Sequence, residues 1–159
     1  MISPNQEYLR RGNSIKGFVI HRTEGSFESA VNWCTNPKSE VSYHYIIKEN
    51  GDDICLVMPE NTAWHAGLIR DPQTELIKAG PNPNLYTIGI ALSGFASEPP
   101  TALQIAKCAR LINFLSTYYS IPLDKNSVVT HNSIRADKIC PGPYVNVSSI
   151  IYLAGLPQA

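Results

Sequence analysis

Four cysteines, Cys34, Cys55, Cys108 and Cys140, are too few and too scattered across 159 residues to form a disulfide framework. No CxxC or HxxxH pair occurs, which excludes the paired short spacings of a structural zinc finger. Neither sign of charge is in excess. With 13 Lys and Arg against 13 Asp and Glu, no large field draws the chain to nucleic acid or to an anionic membrane. No apolar run is long enough to insert in a bilayer, and the opening stretch MISPNQEYLRRGNSIKG lacks the apolar core of a signal peptide. The expectation is a chain made in the cytoplasm that reaches any target outside by another route. Repeats and low-complexity tracts are missing too, and a hydrophobic content of 43% suits one globular domain over residues 1–159.

What is present alternates between strand and helix signals. KGFVIHR, YHYIIK, DICLVM, YTIGIALSG and SVVTH are β-branched or aromatic runs, about five strands in all. The clearest helix is TALQIAKCARLINFLSTYYS, where Ile105, Cys108, Ala109, Ile112 and Leu115 recur at helical spacing. Thr101 and Gln104 there match a capping box, and Pro122 follows the end. Shorter helices are expected in SFESAVNWCTN, with Ser26 as N-cap, and in VSSIIYLAG. The fold class is therefore α/β or α+β, a central mixed sheet flanked by helices. Residues 59–86, rich in Pro, Asn and Gly, read as a long loop of the kind that shapes a site.

Two of the four histidines close an apolar β-like run: FVIH ends at His21 and VVTH at His131. Cys140 follows in a loop stiffened by CPGP, which can return a thiolate to the same sheet edge. Two imidazoles and a thiolate are three soft or borderline donors, the number that leaves a fourth zinc position open. The same residues also fit a nucleophile, Cys140, with His131 or His21 as its base. They equally fit ordinary packed, hydrogen-bonded groups, because free cysteine is among the most buried residue types. Spacing alone leaves all three readings open, and a metal measurement separates them.

The stretches FVIHRTEG, VSYHYIIKENGD, NTAWHAG, YTIGIALSG and VVTHNSIRADKICPGP resemble, in order and separation, the zinc-dependent N-acetylmuramoyl-L-alanine amidases. That family includes bacteriophage lysozyme-type amidases and peptidoglycan recognition proteins. The similarity is strongest over residues 15–153, and no separate wall-binding domain is expected. It implies one Zn2+ held by His21, His131 and Cys140, with Tyr43 and Lys138 as catalytic residues. It also implies hydrolysis of the amide between N-acetylmuramic acid and L-alanine in peptidoglycan. Trp64 and His65, in the long loop, are expected to contact substrate. His44 is expected to face away from Tyr43 and Tyr45, as a supporting group rather than a ligand. Ala91 stands where the cell-wall-recycling branch carries a glutamate base, and Cys140 where that branch tends to carry aspartate. Both differences favour the phage-type and recognition-protein branch. A phage lysis enzyme and an injected antibacterial toxin, the latter implying an immunity or regulatory protein, both suit the resemblance. A domain of the same fold that binds peptidoglycan without cutting is the non-enzymatic alternative.

Overall fold

Elements follow one another from an N-terminal segment that is itself tied into the core. The computed structural model describes residues 2–157. Ser3 and Asn5, both buried, donate from their side chains to the Cys34 carbonyl at 2.5 and 3.2 Å. The strands are β1 Gln6–Glu7, β2 Gly17–Arg22, β3 Tyr45–Ile47, β4 Asp53–Cys55, β5 Thr62–Ala63, β6 Thr87–Leu92 and β7 Val128–Thr130. The α-helices are α1 Phe27–Thr35, α2 Ala102–Tyr119, α3 His131–Ile134 and α4 Val147–Gly155. The main sheet is mixed, in the order β4-β3-β6-β2-β7, with only the β3–β4 pair antiparallel; β1 and β5 form a small separate ribbon.

Alternation along the strands divides the interior in two. Phe18, Ile20, Ile47, Ile88, Ile90 and Leu92 face the layer made by α2 and α4, through Cys108, Ala109, Ile112, Leu115, Ile150 and Ala154. Val19, Val129, Ile46 and Ala91 face the other way, toward α1 and the long loop. The expected helix from Thr101 is present with its capping box formed in both directions. Gln104 also donates to the carbonyls of Ile47 and Ser93, fastening the start of α2 to the ends of β3 and β6. Ser26 caps α1 as the sequence suggests.

The strand at YHYIIK begins only at Tyr45, and this corrects one expectation. Tyr45 packs with the α2 layer while Tyr43 packs with α1, so the two tyrosines lie on opposite faces. The regular alternation does not reach back to Tyr43, because the chain bends at residue 44. There the His44 carbonyl takes the amides of both Leu56 and Val57, at 2.9 and 3.5 Å.

The long loop is held by a buried cation. Arg10, 5% exposed, donates to the carbonyls of Pro59, Asn84, Leu85 and Thr87 at 2.6–3.2 Å. Both ends of residues 59–86 are thereby joined to one guanidinium, whose pKa burial pulls down to about 10.

Candidate functional site

Strand register brings the two histidines together. In the β2–β7 pair Phe18 lies opposite Val128, Val19 opposite Val129 and Ile20 opposite Thr130, so the next position sets His21 beside His131. Their ring centroids are 4.6 Å apart. On the other side of β2, His21 is paired with Ala91 and Ala91 with Ile46, so a row of side chains crosses the sheet on the α1 face. Ala91, fully buried, thus borders His21 directly.

The loop after α3 returns Cys140 to this row. Its carbonyl accepts from Asn132 N–H at 2.9 Å, and its Sγ accepts from Arg22 N–H at 3.3 Å. Gly142 makes the approach possible: its φ is +85°, and a Cβ there would fall 2.1 Å from the Ala96 carbonyl oxygen. The donor atoms of His21, His131 and Cys140 all lie within 4.8 Å of one another.

These three residues fit a metal ion. His131 Nε2 lies 3.1 Å from the Ala66 carbonyl, which can only accept, so this nitrogen carries the hydrogen and Nδ1 keeps its lone pair. Burial pushes the Cys140 thiol up to about 11, so without a cation beside it the group stays protonated. A metal ion reverses that preference, because coordination deprotonates a thiol outright. The nucleophile reading fares worse. Cys140 Sγ is 3.8 Å from His21 Nδ1, and burial, then the neighbouring histidines, hold His21 far below the ordinary imidazole range. A thiol raised and a base lowered are the opposite of an activated pair.

Tyr43 tilts against His21, ring centroids 5.1 Å apart, and lines an open groove of about 750 Å3 with Thr23, Glu24, Ser29, Asn32 and Trp33. Burial holds its phenol above the ordinary tyrosine range, so it remains a hydrogen-bond donor at neutral pH. Lys138 is exposed in the returning loop, two residues before Cys140. After burial, its charge contributes to lowering His131, and it favours the Cys140 thiolate against the dominant effect of burial. Trp64 is half-buried in the long loop.

His65 departs from its expected contact with substrate. It is 6% exposed, and both ring nitrogens are engaged inside the protein, Nδ1 3.1 Å from His21 Nε2 and Nε2 3.2 Å from Thr87 Oγ1. His44 is wholly buried, with Nδ1 accepting from Gly89 N–H at 3.0 Å, and is not among the three clustered donors. Three participants were missing from the sequence expectations. Arg10 and Thr87 act over separations that no local pattern marks. Trp33, 56% exposed on α1 beside the groove, is an aromatic residue whose position in a short helix could have drawn attention.

Buried neutral histidines make stability depend on pH. Burial is the largest cause lowering all four, His65 to about 3 and His131 to about 4. The unfolded chain, with histidines near pKa 6.5, binds more protons between pH 6.5 and those folded values, so stability is full above about 6.5 and falls with acid. At pH 5 each histidine that stays neutral costs about 2 kcal/mol, at about 1.36 kcal/mol per pH unit below 6.5. Urea unfolding of the metal-free protein is expected to show a loss of several kcal/mol between pH 7 and 5. A flat profile over that range would contradict the burial of neutral histidines.

A family model described as N-acetylmuramoyl-L-alanine amidase matches residues 11–143. N-acetylmuramoyl-L-alanine amidase A of Achromobacter lyticus is 30% identical over 110 residues, 67% of this chain and 54% of that protein. The chain thus spans about half the length of that curated relative. A solved selenomethionine derivative of AmpD superposes with a TM-score of 0.78 at 22% identity, covering 96% of this chain and 92% of that one. AmiD from E. coli, solved with anhydro-N-acetylmuramic acid-L-Ala-D-γ-Glu-L-Lys, superposes with a TM-score of 0.74 at 25% identity, covering 90% of this chain and 59% of that one.

Proposed function

Because the chain belongs to the N-acetylmuramoyl-L-alanine amidase family, we propose that it hydrolyses the amide joining the lactyl group of N-acetylmuramic acid to L-alanine in peptidoglycan. His21, His131 and Cys140 would hold one zinc ion. The observation that carries this reading is their clustering at one sheet edge, with three donors rather than the four of a closed structural site; Tyr43, packed against His21, lines the neighbouring groove. Bound there, zinc supplies a Lewis acid that polarises the amide carbonyl and brings the pKa of water toward about 7.

This chain's own groups supply the rest. Tyr43, neutral and lining the groove beside His21, donates to the oxygen that gains charge as the carbonyl is attacked. Lys138, two residues before Cys140 and near enough for its charge to favour the thiolate, adds a positive charge to the site. Trp33 offers an exposed indole to the sugar or peptide, and Trp64 a second apolar surface from the long loop. Ala91 can move no proton, so no carboxylate beside His21 on β6 serves as a base. The substrate class is supported by the muropeptide bound in AmiD. The proposed place of action is the cell wall; no helix among the described residues is long and apolar enough to cross a membrane.

Metal dependence tests the proposal. Zinc-loaded protein is expected to release amino groups from purified peptidoglycan, to stop when a chelator removes the metal, and to resume when zinc is returned. Binding to peptidoglycan with no amino groups released at any zinc concentration would instead establish a recognition domain.

A further inference from the structure

All four histidines of the chain stand in one column, His44, His65, His21 and His131, with successive ring centroids 5.6, 5.2 and 4.6 Å apart. The proposed reaction uses the last two and gives His65 no task. The hydrogen on each ring follows from starting at a group that can only accept. The Pro83 carbonyl accepts the Thr87 hydroxyl at 2.6 Å. A hydroxyl has a single hydrogen, so Thr87 Oγ1 must accept in its other contact, 3.2 Å from His65 Nε2. His65 Nε2 therefore carries a hydrogen. The ring is buried and neutral, with one N–H only, so its Nδ1 bears a lone pair and accepts from His21 Nε2 at 3.1 Å. His21 is left with its lone pair on Nδ1, the nitrogen facing Cys140 Sγ.

We infer that Pro83, Thr87 and His65 form an orientation chain that fixes His21 as the Nε2–H tautomer and aims its Nδ1 lone pair at the metal position. His65 and Thr87 are positioning residues, not substrate contacts. His131 reaches the same tautomer by its bond to the Ala66 carbonyl, so both imidazoles present Nδ1. The sheet is built to admit this arrangement. Thr87, Gly89 and Ala91 occupy alternate positions of β6, pairing with Gly17, Val19 and His21 of β2. The His65 ring lies over the middle one, where a Cβ on Gly89 would come 2.5 Å from it. The coupling runs both ways: with its hydrogen on Nδ1 instead, His65 would donate to His21 Nε2 and turn a hydrogen on His21 Nδ1 toward Cys140.

The inference rests on the metal reading of the site, but its first test needs neither metal nor substrate. In metal-free protein labelled with nitrogen-15, long-range proton–nitrogen correlation spectra at neutral pH should show His21 protonated at Nε2 and bare at Nδ1. Thr87→Val, which removes only the hydroxyl, should give a mixture of His21 tautomers and weaken zinc binding tenfold or more in a chelator competition, about the effect of losing a ligand's supporting partner. Thr87→Ser should restore both. Hydrogen on His21 Nδ1 in the wild-type spectrum would overturn the inference, and that spectrum decides even if Thr87→Val folds poorly. An unchanged tautomer with unchanged zinc affinity in a folded Thr87→Val protein would overturn it as well. If the tautomer is as inferred but peptidoglycan is not cleaved, the proposed function falls and the orientation chain stands. Cleavage with the opposite tautomer would overturn the orientation chain and leave the proposed function standing.

Discussion

Cys140→Ala is expected to leave the purified protein almost free of zinc and its amidase turnover at background. Two imidazoles remain after the change, and two protein ligands are too few to retain zinc tightly. The effect is one of metal occupancy more than of folding. Cys140 is half-buried in a loop whose backbone is held independently by the Asn132 N–H to Cys140 carbonyl bond, so the loop keeps that anchor when the side chain is shortened. His131→Ala should behave alike. His21→Ala should lose metal and also stability, because the ring fills a wholly enclosed place between Tyr43, His65 and His131. Zinc content by atomic emission, read beside turnover on peptidoglycan, checks all three. Full zinc and full activity in Cys140→Ala would remove the thiolate from the scheme.

Tyr43→Phe and Lys138→Ala should separate chemistry from metal binding, each keeping its zinc while turnover falls by about a hundredfold, as for a lost oxyanion partner. Neither residue has a place among the three clustered donors, so neither change removes a ligand. The phenol ring of Tyr43 packs with Ala30, Val31 and Ile46, and Phe keeps that packing. Lys138 is exposed, so its removal leaves no buried group unpaired. Its loss should also reduce the dependence of turnover on salt, because the interaction is a charge acting from the solvent side. Wild-type rates in both variants would mean that these roles belong to other residues.

Much of the site is legible in the sequence because local pattern and tertiary structure agree. The ends of FVIH and VVTH mark His21 and His131, and parallel pairing of β2 with β7 turns two matching strand ends into neighbours. CPGP marks a stiff return, and the returning loop does bring Sγ to the backbone of Arg22. The capping box at Thr101 is a short-range interaction, visible within four residues. What the sequence hides acts over distance. Arg10 sits beside Arg11 in a stretch without an apolar core, yet its guanidinium is buried by carbonyls 49 to 77 positions away. Thr87 looks like an ordinary strand residue, and only the fold places it against His65, 22 positions earlier. Tyr43 lies in the expected neighbourhood but out of the expected strand phase, because the bend at His44 leaves no mark in the alternation of YHYIIK.

The central claim is the bond that is cut, and mass spectrometry of peptidoglycan digested by the zinc-loaded protein addresses it most directly. The expected products are free stem peptides beginning with an unblocked L-alanine amine, glycan strands of undiminished length, and no new reducing sugar ends. Shortened glycans with stem peptides still attached to muramic acid would contradict the claim, since such products come from a glycosidase and not from hydrolysis of an amide at His21, His131 and Cys140.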